Sequence, residues 1–591
     1  MIDEAVRNAK TIPEMFLERV RATPDAKSHE FERDGKWVSV SYREFGEQVK
    51  HATLGFAELG IKRGDNVAIW GDTTAEWTIL DVGALSAGAS VAGVYQSSTA
   101  EQVSYILNDA RSNILCVDTP DRFAMALELK EQLPLVTKVV YWNAGSPAPS
   151  DWVMSIDDLL EQGKKAATAR PGRYEELVQG QDPDAAAVLI YTSGTTGMPK
   201  GVILSHENCL VQCRAAVDND FLKPGDRLVS FLPMSHVAEH AAQFMGRVYT
   251  GLQTTFCPNM QDVARVMKEK PPTLLVAVPR LYEKIRQKIL SNIETAPPKK
   301  QRLARWALDI GDKVAKHKAK KESVPFVLGL QHKIADKIVL SKIREAFGGQ
   351  VRIMLSAAAP IDVETIEFFQ SLGVTFLEAY GLSECGGASH ANRPNDYKNG
   401  TVGLPIRSFE CKIAEDGEIL LHGPGIFKGY LNKPEATAEC LDADGWLHTG
   451  DIGVIDEDGF LRITDRKKNL LITAGGKNVA PAGIEMLIKR EPVISQVVVL
   501  GDRKPYLSAL LTLSREVIDS EKLSRDQVEE RVKNAIDNAN LQLARYEQIK
   551  KYKVLDEEFS VESGEMTPTM KIKRNVVMKK NEPVISALYG E

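Results

Sequence analysis

Residues 191–202 read YTSGTTGMPKGV. Glycines at 194 and 197 let backbone N–H groups turn inward, and the hydroxyls of Thr192, Ser193, Thr195 and Thr196 add donors. With Lys200 contributing positive charge, the stretch has the chemistry of an anion cradle, and a triphosphate is a natural occupant. A Walker-type loop would need its lysine followed by Ser or Thr at the start of a helix, whose N-terminus assists the phosphates. Here Lys200 runs into GVILS, a strand-like segment. The stretch is therefore expected to join two strands. Composition alone also fits an ordinary flexible turn, so the rest of the chain has to decide.

Upstream, short apolar runs alternate with helical patterns: NVAIWGD, the small-residue helix AEWTILDVGALSAGASVAGVY, NILCVD and KVVYW. This alternation predicts a parallel sheet with crossover helices, an α/β class. NAGSPAPSDW and ARPGRYEELVQGQDPDA are rich in Gly, Pro and Asp and read as loops. Downstream, CKIAEDGEILLHGPGIFKGYL reads as short antiparallel strands, and DEDG between two alternating apolar runs predicts a hairpin. Beyond DRKK the units shorten and the chain ends in a lysine-rich tail, so a boundary is expected at Asp465/Arg466. Residues 1–465 form the larger domain in this reading and 466–591 the smaller.

The length of 591 residues exceeds what a single hydrophobic core supports, which agrees with two or more domains. A net charge of -6 argues against a nucleic-acid partner, while small acidic substrates stay allowed because local charge decides those. Seven cysteines without a CxxC pair fit reduced thiols. Cys209 and Cys213 share a helical face without histidines at metal spacing, which favours core packing. The opening residues show no signal pattern and no apolar run reaches bilayer length, so the expected compartment is cytoplasmic. Between Pro297 and Ser323, Leu303, Trp306, Ala307, Ile310 and Val314 form an apolar stripe on a basic helix. Two readings compete there: a surface helix packed on the body, or peripheral attachment to an anionic membrane.

The full string YTSGTTGMPKGV resembles the signature of the adenylate-forming (AMP-binding) superfamily, and further motifs follow in the family's order. SAAAP at 356–360 and YGLSE at 380–384 look like its nucleotide-pocket motifs; GWLHTGD, DRKKNLLITAGGKNVAP and TPTMKIKR complete the set. Within the superfamily, SFLPMSHVAEH, LITAGGKNVAPAGIE and TPTMKIKR look most like long-chain fatty acyl-CoA synthetases, including their bubblegum-type branch. The fold implied is a large N-terminal adenylate-forming domain, acyl-CoA synthetase-like, with a small mobile α+β C-terminal domain.

The resemblance implies a two-step reaction. A fatty carboxylate attacks the α-phosphate of ATP to give acyl-AMP and pyrophosphate, and coenzyme A then displaces AMP to form the thioester. Thr192, Ser193, Gly194, Thr195, Thr196, Gly197 and Lys200 would hold the phosphates, with Thr192 among the catalytic set. Glu384 would ligate Mg²⁺, since a cation bound to phosphates takes one or two carboxylates and keeps its waters. Tyr380 would stack on adenine beside Ala358, Ala379 and Gly381. The family often has glycines where this chain has Ala357 and Ala358, which puts close backbone approach to the base in question. Asp451, assisted by Arg466, would accept the ribose hydroxyls. His236 would gate or position the carboxylate at the mouth of the acyl pocket; a fatty acid ionised at pH 7 needs no general base. Lys571 is the catalytic lysine by its motif match, which separates it from Lys573 and Lys579. Gly475 and Gly476 would serve the thioester step, and Lys468 marks the hinge.

Partners implied are a fatty acid, ATP and CoA, with oligomeric state left open. Activation of another carboxylic acid, such as an aryl acid, stays as an alternative, because pocket shape is encoded in no motif. So does a non-catalytic acyl or nucleotide sensor on the same fold. A peptide-synthetase module fits less well, as no carrier-type serine motif follows the ligase motifs.

Overall fold

The computed structural model describes residues 2–143, 150–192, 198–560, 562–567 and 571–590. Two compact units emerge. One comprises residues up to 192, Met198–Cys411 and Leu421–Leu447; the other comprises Lys412–Leu420 and the residues from His448 onward.

The first unit is built on an eight-stranded sheet. From one edge its order is Gly429–Tyr430, Lys200–Ser205, Ala186–Thr192, Ser90–Val94, Asn66–Trp70, Ile114–Val117, Lys138–Tyr141 and Val153–Ser155. From Ala186–Thr192 to Val153–Ser155 every pairing is parallel, as the alternation of apolar runs and helical patterns predicts. These strands are apolar on both faces because both are covered; Ile114–Val117, for example, is buried throughout. The helix Ala75–Ala87 is buried at every position except Glu76. It stops earlier than its small-residue run suggests: Gly88 takes a φ of 98° as C-cap, and Ser90–Val94 continues as a strand.

A second sheet of five strands runs Leu274–Ala277, Ile353–Ser356, Thr375–Tyr380, His390–Ala391 and Leu404–Pro405, parallel in its first three. A third of four strands includes Lys27–Arg33 and Lys36–Ser41. Within ARPGRYEELVQGQDPDA, residues Arg173–Val178 form a short helix instead of loop, because Tyr174 and Val178 bury themselves on one side.

The basic segment folds as the helix Pro298–Ala319, and its stripe turns inward. Ala304, Ala307, Ile310, Gly311 and Val314 are buried, and Trp306 packs partly against the same core. Gly311 lets this helix press on Val363–Ser371, since a Cβ there would fall 1.9 Å from the carbonyl oxygen of Ser371. Leu303 alone of the stripe stays exposed. No helix among the described residues is long and apolar enough to cross a membrane.

The second unit is α+β. The strands Ile494–Leu500, Leu507–Leu513 and Ile549–Val554 form its three-stranded sheet. Pro481–Ile488 and Arg525–Leu541 contribute Ile484, Ile488, Val532 and Ile536 to a core shared with that sheet. The DEDG hairpin forms as the antiparallel pair Leu447–Ile455 and Leu461–Arg466, in a register that sets Asp451 opposite Arg466.

Candidate active site

Ala186–Thr192 and Lys200–Ser205 pair antiparallel, with Thr192 opposite Lys200. The intervening stretch is a strand-to-strand connection, and no helix opens after Lys200. Ser193, Gly194, Thr195, Thr196 and Gly197 lie outside the described residues. Thr192 stays close to the second strand, its hydroxyl donating to the Lys200 carbonyl at 3.5 Å.

The Lys200 ammonium sits 4.8 Å from the centre of the Tyr430 ring, a cation–π contact. The Tyr430 hydroxyl donates to Glu384 Oε1 at 2.6 Å. Burial first, and the Glu384 carboxylate second, push the Tyr430 phenol well above its ordinary range and keep it a donor. Glu384 occupies the turn Ser383–Cys385, tied to the next segment by Phe427 N–H donating to its carbonyl at 2.9 Å. A cation, an acid and a phenol therefore converge where the strand that follows the loop meets the edge strand Gly429–Tyr430. Tyr430 is absent from the motif reading because its partners lie far off in sequence.

The turn carrying Glu384 is clamped from below. Gln212, buried on the helix His206–Asp218, donates to the carbonyls of Cys385 and Ala388 at 2.9 Å each and accepts from Ala388 N–H at 3.2 Å. Nothing in the sequence marks Gln212, since its role is to satisfy backbone groups some 170 residues away. Cys209 and Cys213 on the same helix are buried thiols, as expected, with burial pushing Cys213 up to about 12.

Tyr380 ends the strand Thr375–Tyr380, followed by Gly381, where a Cβ would meet the Gly387 carbonyl oxygen at 1.7 Å. Two residues earlier on that strand, burial raises the Glu378 carboxyl to about 8. Ala358 follows the strand Ile353–Ser356 with φ at 73°, a left-handed backbone that a Cβ disfavours. The family's glycine preference at this point thus has a conformational basis that this chain meets with alanine.

His236, Ala358, Ala379, Tyr380 and Gly381 all line one cavity of about 1100 Å³ including its mouth. Much of its wall is apolar: Ala215, Phe221, Leu222, Leu228, Leu274, Val276, Ile353 and Leu355. His236 precedes a π-helical segment, Ala238–Phe244, a distortion frequent at functional sites. Ala238 N–H donates to His236 Nδ1 at 3.2 Å, so the neutral ring carries its proton on Nε2. Arg247, also on the cavity wall, is buried and neutralised by Glu239 at 2.9 Å.

In the second unit, Arg466 Nε meets Asp451 Oδ1 at 2.7 Å, and Asp451 is only 3% exposed. The hairpin register brings these two residues, both assigned to the ribose by motif, into contact. Gly475 and Gly476 lie in a turn closed by Gly476 N–H donating to the Thr473 carbonyl at 2.8 Å, with Gly476 at φ 72°. Lys571 is exposed. Its backbone is tied to Thr567, whose N–H donates to the Lys571 carbonyl at 2.8 Å and whose hydroxyl accepts from Lys571 N–H at 3.1 Å. Arg574, three residues on, is anchored to Glu485 and to the Val499 carbonyl. Lys468 sits in the turn Lys467–Asn469, beside Lys467, which bridges Asp416 and Glu418.

Residues 16–431 match the family model described as AMP-binding enzyme, and residues 468–591 match its C-terminal domain. The chain belongs to the AMP-binding enzyme family. Among curated relatives, this AMP-binding enzyme is 36% identical to the long-chain-fatty-acid–CoA ligase FadD15 of Mycobacterium tuberculosis, over 98% of this chain and 96% of that protein. It is 32% identical to the long-chain-fatty-acid–CoA ligase ACSBG1 of Homo sapiens, over 98% and 85% respectively. Among solved structures it resembles the A-PCP didomain of carboxylic acid reductase from Segniliparus rugosus in complex with AMP. That match has a TM-score of 0.77 and 21% identity, over 100% of this chain and 84% of that one. ATP-bound MatB from Rhodopseudomonas palustris matches at a TM-score of 0.72 and 21% identity, over 97% and 99%. At that identity the structures speak to the fold, which is that of an adenylate-forming enzyme.

Proposed function

We propose that the chain is a long-chain fatty acid:CoA ligase, in which a fatty carboxylate attacks the α-phosphorus of ATP and expels pyrophosphate. The thiol of coenzyme A then attacks the acyl carbon and expels AMP. The observation that carries this reading is the apolar cavity bordered by His236, Ala358, Tyr380 and Gly381, the residues whose motifs point to the nucleotide and carboxylate. The relatives named long-chain-fatty-acid–CoA ligases support the same substrate class.

In this reading the difficulty is charge, because an anionic nucleophile approaches an anionic phosphate; fixed cations and donors supply most of the catalysis. Lys200, steered by the Tyr430 ring, faces the phosphates together with Thr192 and residues 193–197. The His236 Nε2–H donor orients the carboxylate at the cavity mouth. Tyr380 packs on the base, and Asp451 accepts from the ribose hydroxyls while Arg466 holds it in place. Lys571 bridges carboxylate and α-phosphate during adenylation, and the Gly475–Gly476 turn serves the thioester step. The moving parts in this proposal are residues 1–465 and 466–591, pivoting near Lys468. The two family models, ending at 431 and resuming at 468, bracket the boundary in this proposal.

The donor set fits Mg²⁺ held mainly by phosphate oxygens. Glu384 offers one carboxylate fixed by Tyr430, and the described residues contain no cluster of three or more acids, histidines or cysteines forming a cage of its own. When bound, the ion neutralises phosphate charge.

A coenzyme A ligation assay over a panel of acids tests the proposal. We expect kcat/KM to rise toward acids of about twelve carbons or more, each buried CH₂ contributing about 0.8 kcal/mol. An optimum at acetate or benzoate would overturn it.

A further inference from the structure

The helix Phe326–Ala335 and the π-helical turn Asp336–Leu340 that continues it are amphipathic in an inverted sense. One face is buried through Ala335, Val339 and Leu340, with Leu328 packed partly on the same core. The other face is also apolar and lies open. Phe326 is 86% exposed, Val327 66%, Leu330 54%, Ile334 50% and Ile338 39%. At the helical repeat these side chains share one side, so the exposure is a continuous surface instead of scattered single residues. Contiguous apolar surface of this kind marks a binding face.

What covers it is indicated by the charge around it. Lys318, Lys320, Lys333, Lys337 and Lys342 are exposed. Among the described residues none of the five carries an ion pair, whereas Lys316 and Lys321 are engaged by Asp312 and Asp396. Residues 316–342 hold seven lysines against two acids, Glu322 and Asp336, in a chain whose net charge is -6. Asp336 is itself taken by Arg344, which leaves Glu322, 3.2 Å from His317, as the one acid of the segment not engaged by an arginine or lysine among the described residues. The apolar face is therefore fringed by cations that the protein leaves uncompensated. A second copy meeting this face across a two-fold axis would set lysine fringe against lysine fringe, which disfavours self-association. The neighbouring helix Pro298–Ala319 cannot supply the insertion, since its stripe is spent on the core.

We propose that the face formed by Phe326, Val327, Leu330, Ile334 and Ile338 docks on an anionic lipid bilayer, with the apolar side chains entering the headgroup boundary and the lysines meeting the anionic headgroups. The inference depends on no step of the reaction.

The test is co-sedimentation of the full chain with phosphatidylcholine vesicles and with vesicles containing about a third phosphatidylglycerol. Expected is a partition at least tenfold higher on the anionic vesicles, weakened by 0.5 M NaCl, which shortens the screening length to about 4 Å. Phe326→Asp with Leu330→Asp should lower it about tenfold. Lys318→Glu, Lys320→Glu, Lys333→Glu and Lys337→Glu together should abolish the preference for anionic lipid. Thermal melting of both variants reports whether they remain folded, and these surface positions should leave it unchanged. Equal sedimentation of wild type with both vesicle types, or wild-type sedimentation in folded variants of both kinds, overturns the proposal. So does light scattering that finds a wild-type dimer which Phe326→Asp with Leu330→Asp converts to monomer, because a second copy then covers the face. The readout contains no catalysis, so its failure is distinct from failure of the ligase assignment.

Discussion

Two segments carry the lysines proposed to meet phosphate, and they are built differently. Around Lys200 the backbone is locked by pairing with Ala186–Thr192, and the ammonium has a fixed neighbour in Tyr430, itself fixed by Glu384. Around Lys571 the backbone is tied to Thr567, which is buried, while Lys571 itself is exposed on the smaller unit. The first arrangement suits a charge needed throughout the reaction, because ordering it at each turnover would cost side-chain entropy. The second suits a charge presented for one step. The contrast makes different demands on each site when it is mutated.

The largest expected effect falls on Lys571. If Lys571 acts in the adenylation transition state as proposed, Lys571→Ala removes that cation, and acyl-AMP formation should slow by a factor on the order of 10² to 10³. Thioester formation from supplied acyl-AMP should suffer much less. Lys573→Ala controls for loss of tail charge. Pyrophosphate exchange reads the first step, and thioester release from synthetic acyl-AMP reads the second. Equal damage to both half-reactions would break the comparison, leaving Lys571 no more step-specific than Lys200.

Tyr430→Phe comes next and sharpens the other side. It deletes the hydroxyl donating to Glu384 while keeping the ring under Lys200. A hydrogen bond to a charged group is worth about 1.5–3 kcal/mol, so kcat/KM for ATP in adenylation should fall roughly tenfold or more. The Mg²⁺ concentration giving half-maximal rate should rise as the carboxylate loses its orientation. An unchanged Mg²⁺ dependence would reduce Tyr430 to packing and leave Lys200 no better organised than Lys571.

What was legible in the sequence follows the same division. Local pattern gave the strand-to-strand connection, because Lys200 runs into Gly201, Val202 and Ile203, a strand pattern and not a helix start. It also gave the hairpin that brings Asp451 to Arg466. It did not give Tyr430 or Gln212, whose partners lie 46 and 173 residues away and are brought near only by the tertiary fold. Periodicity located the stripe on Pro298–Ala319 but was silent on direction. That stripe is buried, while the apolar side of Phe326–Ala335 is open, and only packing distinguishes them. Arg173–Val178 was hidden by flanking Gly, Pro and Asp, since two buried side chains are too few to show a period.

The smallest expected effect is at Ala358, where this chain departs from the glycines frequent in the family. A non-glycine residue at φ 73° bears a strain of roughly 1–2 kcal/mol from its Cβ against the neighbouring carbonyl. Ala358→Gly relieves that strain but gives the unfolded chain more freedom, which offsets about 0.5–1 kcal/mol. The difference leaves a net stabilisation of about 0.5–1 kcal/mol, read as a rise in Tm of a degree or two for a unit of this size. Ala358→Val should move Tm the other way, because a β-branched side chain fits the left-handed region less well than alanine. The pair of variants isolates backbone strain from cavity size, since glycine enlarges the space lined by Ala358 and valine fills it. If strain dominates, glycine raises Tm and valine lowers it; if lost apolar contact dominates, the order reverses. The reversed order would mean that the segment after Ile353–Ser356 gives way at Ala358 in solution, and that it is less rigid than the connection ending at Lys200.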